Sequence, residues 1–384
     1  MLSAGEIAAG VRAGALSAVA VVEEALEAAR RLDPILHFLD ELDAGTALRL
    51  AREVDPGGPL AGVPFVVKAR TPPESPILER LLAAGAIPIG TATRARPGPG
   101  SQTYGWNGRE YTRNPWDVSR SPGGSTAGGA AAIAAGVVPL ATGGDSGGSL
   151  RIPASFCGLV GLKGTYGRVP RAVGRSLGGL TTAGVIGANL DDVMLATSVV
   201  SGPHRLDPTA LPQWPEPILA EGPFRVAYLP TLNTQYAVDP GVDQVIRDRL
   251  SVVEVVDVPL KLLPTDDAWQ VLSALDAGRG ASAAEAQRAR EVRDHNHTAL
   301  ADLFEVVDAL VTPTTLTVAH GYDQHNENII VGDPCWAFNV TGHPAVSVPV
   351  GLLDGLPVGA QVVTPYGDDA TALAVAKRLM VQLR

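Results

Sequence analysis

Cysteine is scarce in this chain: 384 residues carry only Cys157 and Cys335. Two thiols cannot build a disulfide framework, and their scarcity fits a reducing, cytoplasmic setting. Positive charge is also in short supply, since 30 Lys and Arg face 40 Asp and Glu, a formal net charge of −10. No basic block appears, so the chain lacks the footprint expected of a nucleic-acid binder or of a protein that sits on an anionic membrane. No run reaches the roughly 18–20 apolar residues that a membrane span requires. Residues 1–32 carry Glu6, Arg12, Glu23 and Glu24 without a basic region leading an apolar core. They read as two amphipathic helices, not as a signal peptide. Histidine and cysteine show no ligand spacing. His295 and His297 lie two apart in a polar helical stretch, and neither a metal nor a cofactor is expected.

What the sequence does hold is an ordinary globular mixture, 46% hydrophobic and 18% charged, enough for a large core. Glycine (43) and proline (31) are plentiful without a repeat, which implies many tight turns. The length permits two or three domains, or one large α/β unit. Residues 1–50 read as helical. "PLAGVPFVVKAR" (59–70) reads as a buried strand ending at Lys68, and 75–93 as a helix, a glycine stop at Gly85 and a strand. Residues 94–120 read as loop. Further strands are expected at 225–230, 252–260 and 306–314, with helices at 240–250 and 281–305. A hairpin is expected over 345–363, turning at "DGLP", and a final helix over 368–383 with a capping Asp. The proline-rich stretch 202–222 is the best linker candidate. Strands alternating with helices predict an α/β protein with a mixed sheet.

The most informative stretch is "SPGGSTAGGAAAIAAGVVPLATGGDSGGSLRIP" (121–153), with two glycine-rich loops that each carry a serine. Neither loop fits G-x-G-x-x-G, and no G-x-x-x-x-G-K-[ST] occurs. At Ser125 and Ser149 the nucleophile elbow G-x-S-x-G fails too, because Ala127 and Arg151 stand where its last glycine belongs. An oxyanion hole remains, because "DSGGS" (145–149) lets several backbone amides curl around one oxygen beside the Ser149 hydroxyl. The alanine-rich run 126–136 predicts a helix capped by Ser125, about 15 Å long over ten residues. "VVPLAT" (137–142) predicts a strand, about five residues of which return roughly 17 Å. The two serines can therefore meet. A serine pair still needs a base, and neither loop holds a histidine. Lys68 can serve if burial keeps it neutral; otherwise it is a strand-end lysine reaching solvent.

These residues resemble the amidase signature family. The matching blocks are "GVPFVVK", "TRNPWDVSRSPGGSTAGGAAAIAAGVVPLATGGDSGGSLRIPASFCGLVGLKGTYGRVP", "VDALVTPTT" and "FNVTGHPAVSVPVGLLDGLPVGAQVV", in that order. The resemblance implies one large domain over 1–384, a mixed β-sheet core flanked by helices. Within it, residues 1–60 would be N-terminal helices packed on the core, 121–168 the signature core, and 203–300 a shortened variable region. It implies amide hydrolysis by a Ser–cis-Ser–Lys triad through an acyl-enzyme. Ser149 would be the nucleophile, Ser125 the bridging serine after a cis peptide, and Lys68 the base. The amides of Ser146, Gly147, Gly148 and Ser149 would form the oxyanion hole, braced by Asp145 and Arg151, with Thr126 beside the relay.

The chain departs from the family pattern at Ala69, where an Asp is usual, at Thr126 and Ala127 in "GGSTAGG", and at Gly144 in "GGD". Tyr104, Trp106, Cys335 and Trp336 are expected to flank the pocket. The expected partner is a small-molecule amide, not nucleic acid or membrane, with a homodimer allowed. Alternatives are a glutamine-hydrolysing subunit of a tRNA-dependent amidotransferase, a hydrolase of urea-derived carboxamides, and a non-catalytic scaffold that kept the fold.

Overall fold

In the computed structural model the described residues are 1–95, 104–172, 178–214, 219, 221–232, 236–322 and 333–383. In chain order the strands are β1 (Leu39–Leu42), β2 (Pro64–Lys68), β3 (Ile87–Ala92), β4 (Arg94–Ala95), β5 (Gly105–Trp106), β6 (Leu140–Asp145) and β7 (Val160–Lys163). They continue with β8 (Thr182–Gly187), β9 (Arg225–Tyr228), β10 (Glu254–Val255), β11 (Ala309–Pro313), β12 (Ala345–Leu353) and β13 (Leu356–Val363). The helices are α1 (Ala4–Arg12), α2 (Ala18–Leu36), α3 (Ala44–Glu53), α4 (Pro76–Ala83), α5 (Ala127–Ala134) and α6 (Arg151–Cys157). They continue with α7 (Leu190–Val200), α8 (Pro240–Arg249), α9 (Asp266–Asp276), α10 (Ala283–Phe304), α11 (Asp333–Val340) and α12 (Asp369–Leu379).

Eleven strands form one sheet in the order β1-β3-β2-β6-β8-β7-β12-β13-β11-β9-β10, with β4 and β5 paired apart from it. The sheet is mixed: β3, β2 and β6 run parallel, as do β11, β9 and β10, and the other neighbours are antiparallel. Helices flank the sheet, and most of the buried apolar residues fall into two large clusters that include residues from both helices and sheet, with three smaller clusters beside them. This is the α/β architecture expected, in a single domain.

The hairpin closes through Asp354 (φ 52°) and Gly355 (φ 78°), two left-handed residues that suit a tight turn between twisted strands. Asp368 caps α12 by accepting from the Thr371 amide. The loop expected over 94–120 holds the short strands β4 and β5, the final helix stops at Leu379, and three further boundaries differ from expectation. Residues 1–50 are not all helix, because β1 pairs with β3 at one edge of the sheet. The expected strand over 252–260 shrinks to Glu254–Val255 at the other edge, where Val252 and Val255 are exposed. A short edge strand with no second partner offers little for further pairing. The strand after the signature helix is 140–145, not 137–142. Val137 and Val138 fill the core ahead of it, and the glycines of "TGGD" carry the ladder against β8.

Two placements matter for the site. Strands β2 and β6 are parallel neighbours, so Lys68 and Asp145 end at the same edge of the sheet. Ligand sites in open sheets gather outside such carboxyl ends. Helix α5 sits close against the sheet because it is built of alanine and glycine. A Cβ on Gly128 would stand 2.2 Å from the Phe38 carbonyl oxygen, and one on Gly129 2.7 Å from Ala141 Cβ. The glycines permit that approach, and the helix start delivers Ser125 to the end of β2.

Candidate active site

The three expected residues meet in one hydrogen-bonded chain. Lys68 Nζ lies 2.8 Å from Ser125 Oγ, and Ser125 Oγ lies 3.0 Å from Ser149 Oγ. Lys68 Nζ also donates to Thr126 Oγ1 at 3.1 Å. The peptide between Gly124 and Ser125 is cis. The helix cap is Thr126 rather than Ser125, and neither hydroxyl caps the helix. Ser125 is turned into the relay and Thr126 toward Lys68. Gly143 makes room for this, since a Cβ there would stand 2.7 Å from Thr126 Oγ1. At Gly144 the nearest atom to such a Cβ is the Thr182 carbonyl oxygen 3.5 Å away, so a small side chain would fit there in ordinary contact.

Burial drives the Lys68 ammonium down to about 8; the charge of Asp145 opposes this and that of Arg94 assists it. Near neutral pH, a kinetically useful share of Lys68 therefore lacks its proton. The hydrogen bonds can run in either sense. When Lys68 is charged it donates to Ser125, which donates to Ser149. When it is neutral, its lone pair accepts from Ser125, which then accepts from Ser149.

Beneath the relay sits a fully buried ion pair. Arg151 donates through Nε and Nη2 to Asp145 at 2.9 and 2.8 Å. Asp145 also accepts from the amides of Gly148 (2.7 Å) and Leu150 (3.2 Å) and from Asn339 Nδ2 (3.0 Å). Burial alone would raise the Asp145 carboxyl, but the Arg151 guanidinium and these donors hold it well below the usual carboxylate range. The pair fixes both ends of the 145–151 loop. The amide of Gly148, expected in the oxyanion hole, is instead turned to Asp145. The amides of Gly147 and Ser149 donate to no protein acceptor among the described residues.

Two residues that sequence reasoning missed hold the loop from above. Trp269 Nε1 donates to the Ser146 carbonyl at 2.6 Å. Asp276 accepts from the amides of Gly178, Gly179, Leu180 and Thr181 at 2.7–3.3 Å, and from the Thr181 hydroxyl. Thr181 Oγ1 in turn lies 2.7 Å from Ser146 Oγ. Both residues belong to α9.

The relay opens into a cleft of about 610 Å³. Its lining includes Lys68, Ser125, Ser146 and Ser149, together with Arg70, Arg94, Arg171 and Asp276. The four residues expected to flank the pocket are not among those lining it. Tyr104 is buried and meets Tyr111 edge-on at 5.1 Å, while Trp106 lies 4.8 Å from Tyr111. Cys335 is buried with Ile152 and Phe156 behind Gly148. Trp336 stacks on Trp269 at 5.1 Å. Each of these side chains is thus engaged by neighbouring residues. Residues 101–103 of the same expected segment lie outside the described residues.

Among the described residues, no cluster of His, Cys, Asp and Glu could hold a metal ion, and no helix is long and apolar enough to cross a membrane. His297 faces His343 ring to ring at 5.0 Å.

The amidase family model matches residues 69–274 and 267–373 of the chain. A glutamyl-tRNA(Gln) amidotransferase subunit from Symbiobacterium thermophilum is 32% identical, over 96% of this chain and 94% of that protein. That alignment spans 463 positions against the 384 residues here, so it carries gaps. Among solved structures, a bacterial aryl acylamidase of the amidase signature family superposes with a TM-score of 0.86 at 23% identity, covering 98% of this chain and 95% of that one. A 6-aminohexanoate cyclic dimer hydrolase superposes at 0.87 and 23%, covering 98% and 96%.

Proposed function

Since the chain belongs to the amidase family, an enzyme family acting on C–N amide bonds, we propose that it hydrolyses a carboxamide through an acyl-enzyme on Ser149. The observation that carries this reading is the unbroken chain Lys68–Ser125–Ser149 at 2.8 and 3.0 Å, opening into a cleft. Neutral Lys68 takes the proton of Ser125 as Ser125 takes that of Ser149. The Ser149 oxygen attacks the amide carbon, and the carbonyl oxygen becomes an oxyanion. The amides of Ser146, Gly147 and Ser149 receive that charge, with Gly148 anchoring the loop to Asp145. The tetrahedral intermediate collapses, the C–N bond breaks, and the relay returns its proton to the leaving ammonia or amine. Water, deprotonated through the same relay, then splits the ester to a carboxylate and regenerates Ser149.

S149A abolishes turnover, and a variant keeping a tenth of the wild-type rate would overturn the assignment. K68A loses a factor of about 10² or more at neutral pH, as general-base help is removed. A serine-reactive fluorophosphonate that labels Ser149 separates an enzyme from a scaffold that merely kept the fold.

The relatives favour a second reading of the substrate. Proteins named as subunits of glutamyl-tRNA(Gln) amidotransferase match almost the whole chain at 32% identity. On that reading the amide is the side chain of glutamine, and the ammonia passes to a partner protein. Co-purification with such a partner, and glutaminase activity that rises when it binds, support this; full activity of the isolated chain on simple carboxamides supports the free-standing amidase.

A further inference from the structure

The cleft holds more positive charge than its chemistry requires. Arg70, Arg94 and Arg171 line the same space as Ser149. The whole chain carries a net charge of −10, so this gathering of cations does not follow from a basic composition.

Few negative groups answer these arginines. Neither Arg70 nor Arg94 takes part in an ion pair among the described residues. Asp40 acts on Arg94 only from beyond contact distance. Asp276 is the carboxylate in the lining, and its oxygens are already committed to four backbone amides and the Thr181 hydroxyl. Asp145 lies beneath the loop, fully engaged by Arg151. Ala69, next to the base, contributes no charge.

The placement of Arg70 is itself unusual. Its φ is +67°, a left-handed conformation that a residue with a side chain adopts at a cost. The turn that imposes it is held by Thr71, whose amide and hydroxyl both donate to the Lys68 carbonyl, at 3.1 and 2.7 Å. Arg70 is thereby presented at the cleft two residues after the base. Arg171 is fixed by its Nη1 donating to the Thr181 carbonyl at 2.8 Å.

We infer that the cleft selects amides carrying a carboxylate at the far end from the scissile bond and no ammonium group, with Arg70 and Arg94 as the residues that bind the carboxylate. This rests on the amide-hydrolase reading and narrows its substrate class. Guanidinium groups offer forked donors matched to a carboxylate. An ammonium brought into the same space meets like charge, and the cleft's carboxylate, Asp276, is already bonded elsewhere. The half-amide of a dicarboxylic acid therefore fits better than glutamine, which adds an α-ammonium to the same frame.

The test is a matched trio: glutaramate, glutamine and pentanamide, the last lacking the carboxylate. Binding is measured by calorimetry on the intact S149A protein, which separates recognition from turnover. Glutaramate is expected to bind at least about tenfold tighter than pentanamide, the worth of one charge-assisted hydrogen bond, and tighter than glutamine. R70Q and R94Q, each placed in the S149A background, are expected to shrink the glutaramate-to-pentanamide ratio several-fold. Raising the salt concentration is expected to weaken glutaramate but not pentanamide, a reading that needs no further variant. Equal affinities for glutaramate and pentanamide, no measurable binding of glutaramate, or a ratio unmoved by both substitutions would overturn the inference. Glutamine binding as tightly as glutaramate would overturn the exclusion of ammonium. Wild-type protein that cleaves none of the three amides sinks the hydrolase reading instead, and the calorimetric comparison still decides the inference.

Discussion

At the scale of single residues, the relay depends on one proton. Lys68 can accept from Ser125 only when its own proton is gone. Burial, with help from Arg94, brings that change down to about 8. The rate is therefore expected to rise with pH and level off above about 8; a flat profile between pH 5 and 9 would mean that Lys68 is not the base. Thr126 tunes the same group. Its hydroxyl accepts from Lys68 Nζ at 3.1 Å, and an acceptor favours the charged ammonium. T126V removes that acceptor and leaves a methyl of similar size. The ammonium is then held less well, and the rising limb is expected to move to lower pH. A limb that moved upward would show that Thr126 supports the neutral amine instead. The departure from the family pattern at Thr126 thus keeps a hydroxyl beside Lys68. Ser149, Ser125 and Lys68 are legible in the sequence because glycine spacing and residue type are local properties. Arg70 and Arg94 are not, because nothing in "KAR" or "ATRA" says which way an arginine points.

At the scale of elements, the site is assembled by three pieces of chain. Strand β2 ends on Lys68, the turn into α5 presents Ser125, and β6 runs into the loop that carries Ser149. The helix-out, strand-back geometry expected from residues 126–142 holds, although the strand starts three residues late. The fourth piece, α9, leaves no sequence signal. Its role lies in contacts to residues more than ninety positions away, Trp269 to Ser146 and Asp276 to Gly178 through Thr181. No periodicity encodes such a contact. The aromatic residues near 104–106 defeat sequence reading for the same reason: a glycine- and proline-rich setting marks a loop, not the direction of its rings. Trp336 does so from within α11, where it stacks on Trp269, another contact across the chain. The importance of α9 is testable through Trp269. W269F keeps a ring to stack on Trp336 but loses the indole donor to the Ser146 carbonyl, with part of the ring that lies over Gly147. One neutral hydrogen bond is worth about 1 kcal/mol, so kcat/KM is expected to fall up to about fivefold, with a melting temperature only a few degrees lower. An unchanged kcat/KM would mean that the Ser146–Ser149 loop holds its shape without α9.

At the scale of the whole molecule, the buried bases set how stability varies with pH. Lys163, at the end of β7, is fully buried and donates to the Gly164 carbonyl at 3.1 Å. Burial, reinforced by the charge of Arg151, lowers its ammonium to about 7, against the pull of Asp145 and Asp369. Burial likewise brings His343 down to about 3, helped by His297 and Lys163. A base with a lowered folded pKa destabilises the fold as pH falls, because the unfolded chain takes up the proton first. For Lys163 that window runs from its unfolded value of 10.5 down to about 7. For His343 it runs from 6.5 down to about 3. Lys68 adds the same sign between 10.5 and about 8. Asp145 does not offset this, since a lowered carboxylate also loses its stabilising effect as pH falls, only in the acid range. The fold is therefore expected to be more stable at pH 9 than at pH 7. Lys163 takes no part in the relay, so its share can be isolated. K163M replaces the amine with an apolar chain of similar length. One titrating group contributes a slope of about 1.4 kcal/mol per pH unit inside its window. Urea denaturation at pH 7 and pH 9 should therefore show a stability difference between the two pH values smaller in K163M by about 2 to 3 kcal/mol. The variant forgoes a hydrogen bond worth about 1 kcal/mol, which lowers both points alike and leaves that difference intact. If wild type and K163M lose stability equally between pH 9 and pH 7, Lys163 keeps its proton in the fold, and Asp145 and Asp369 outweigh its burial.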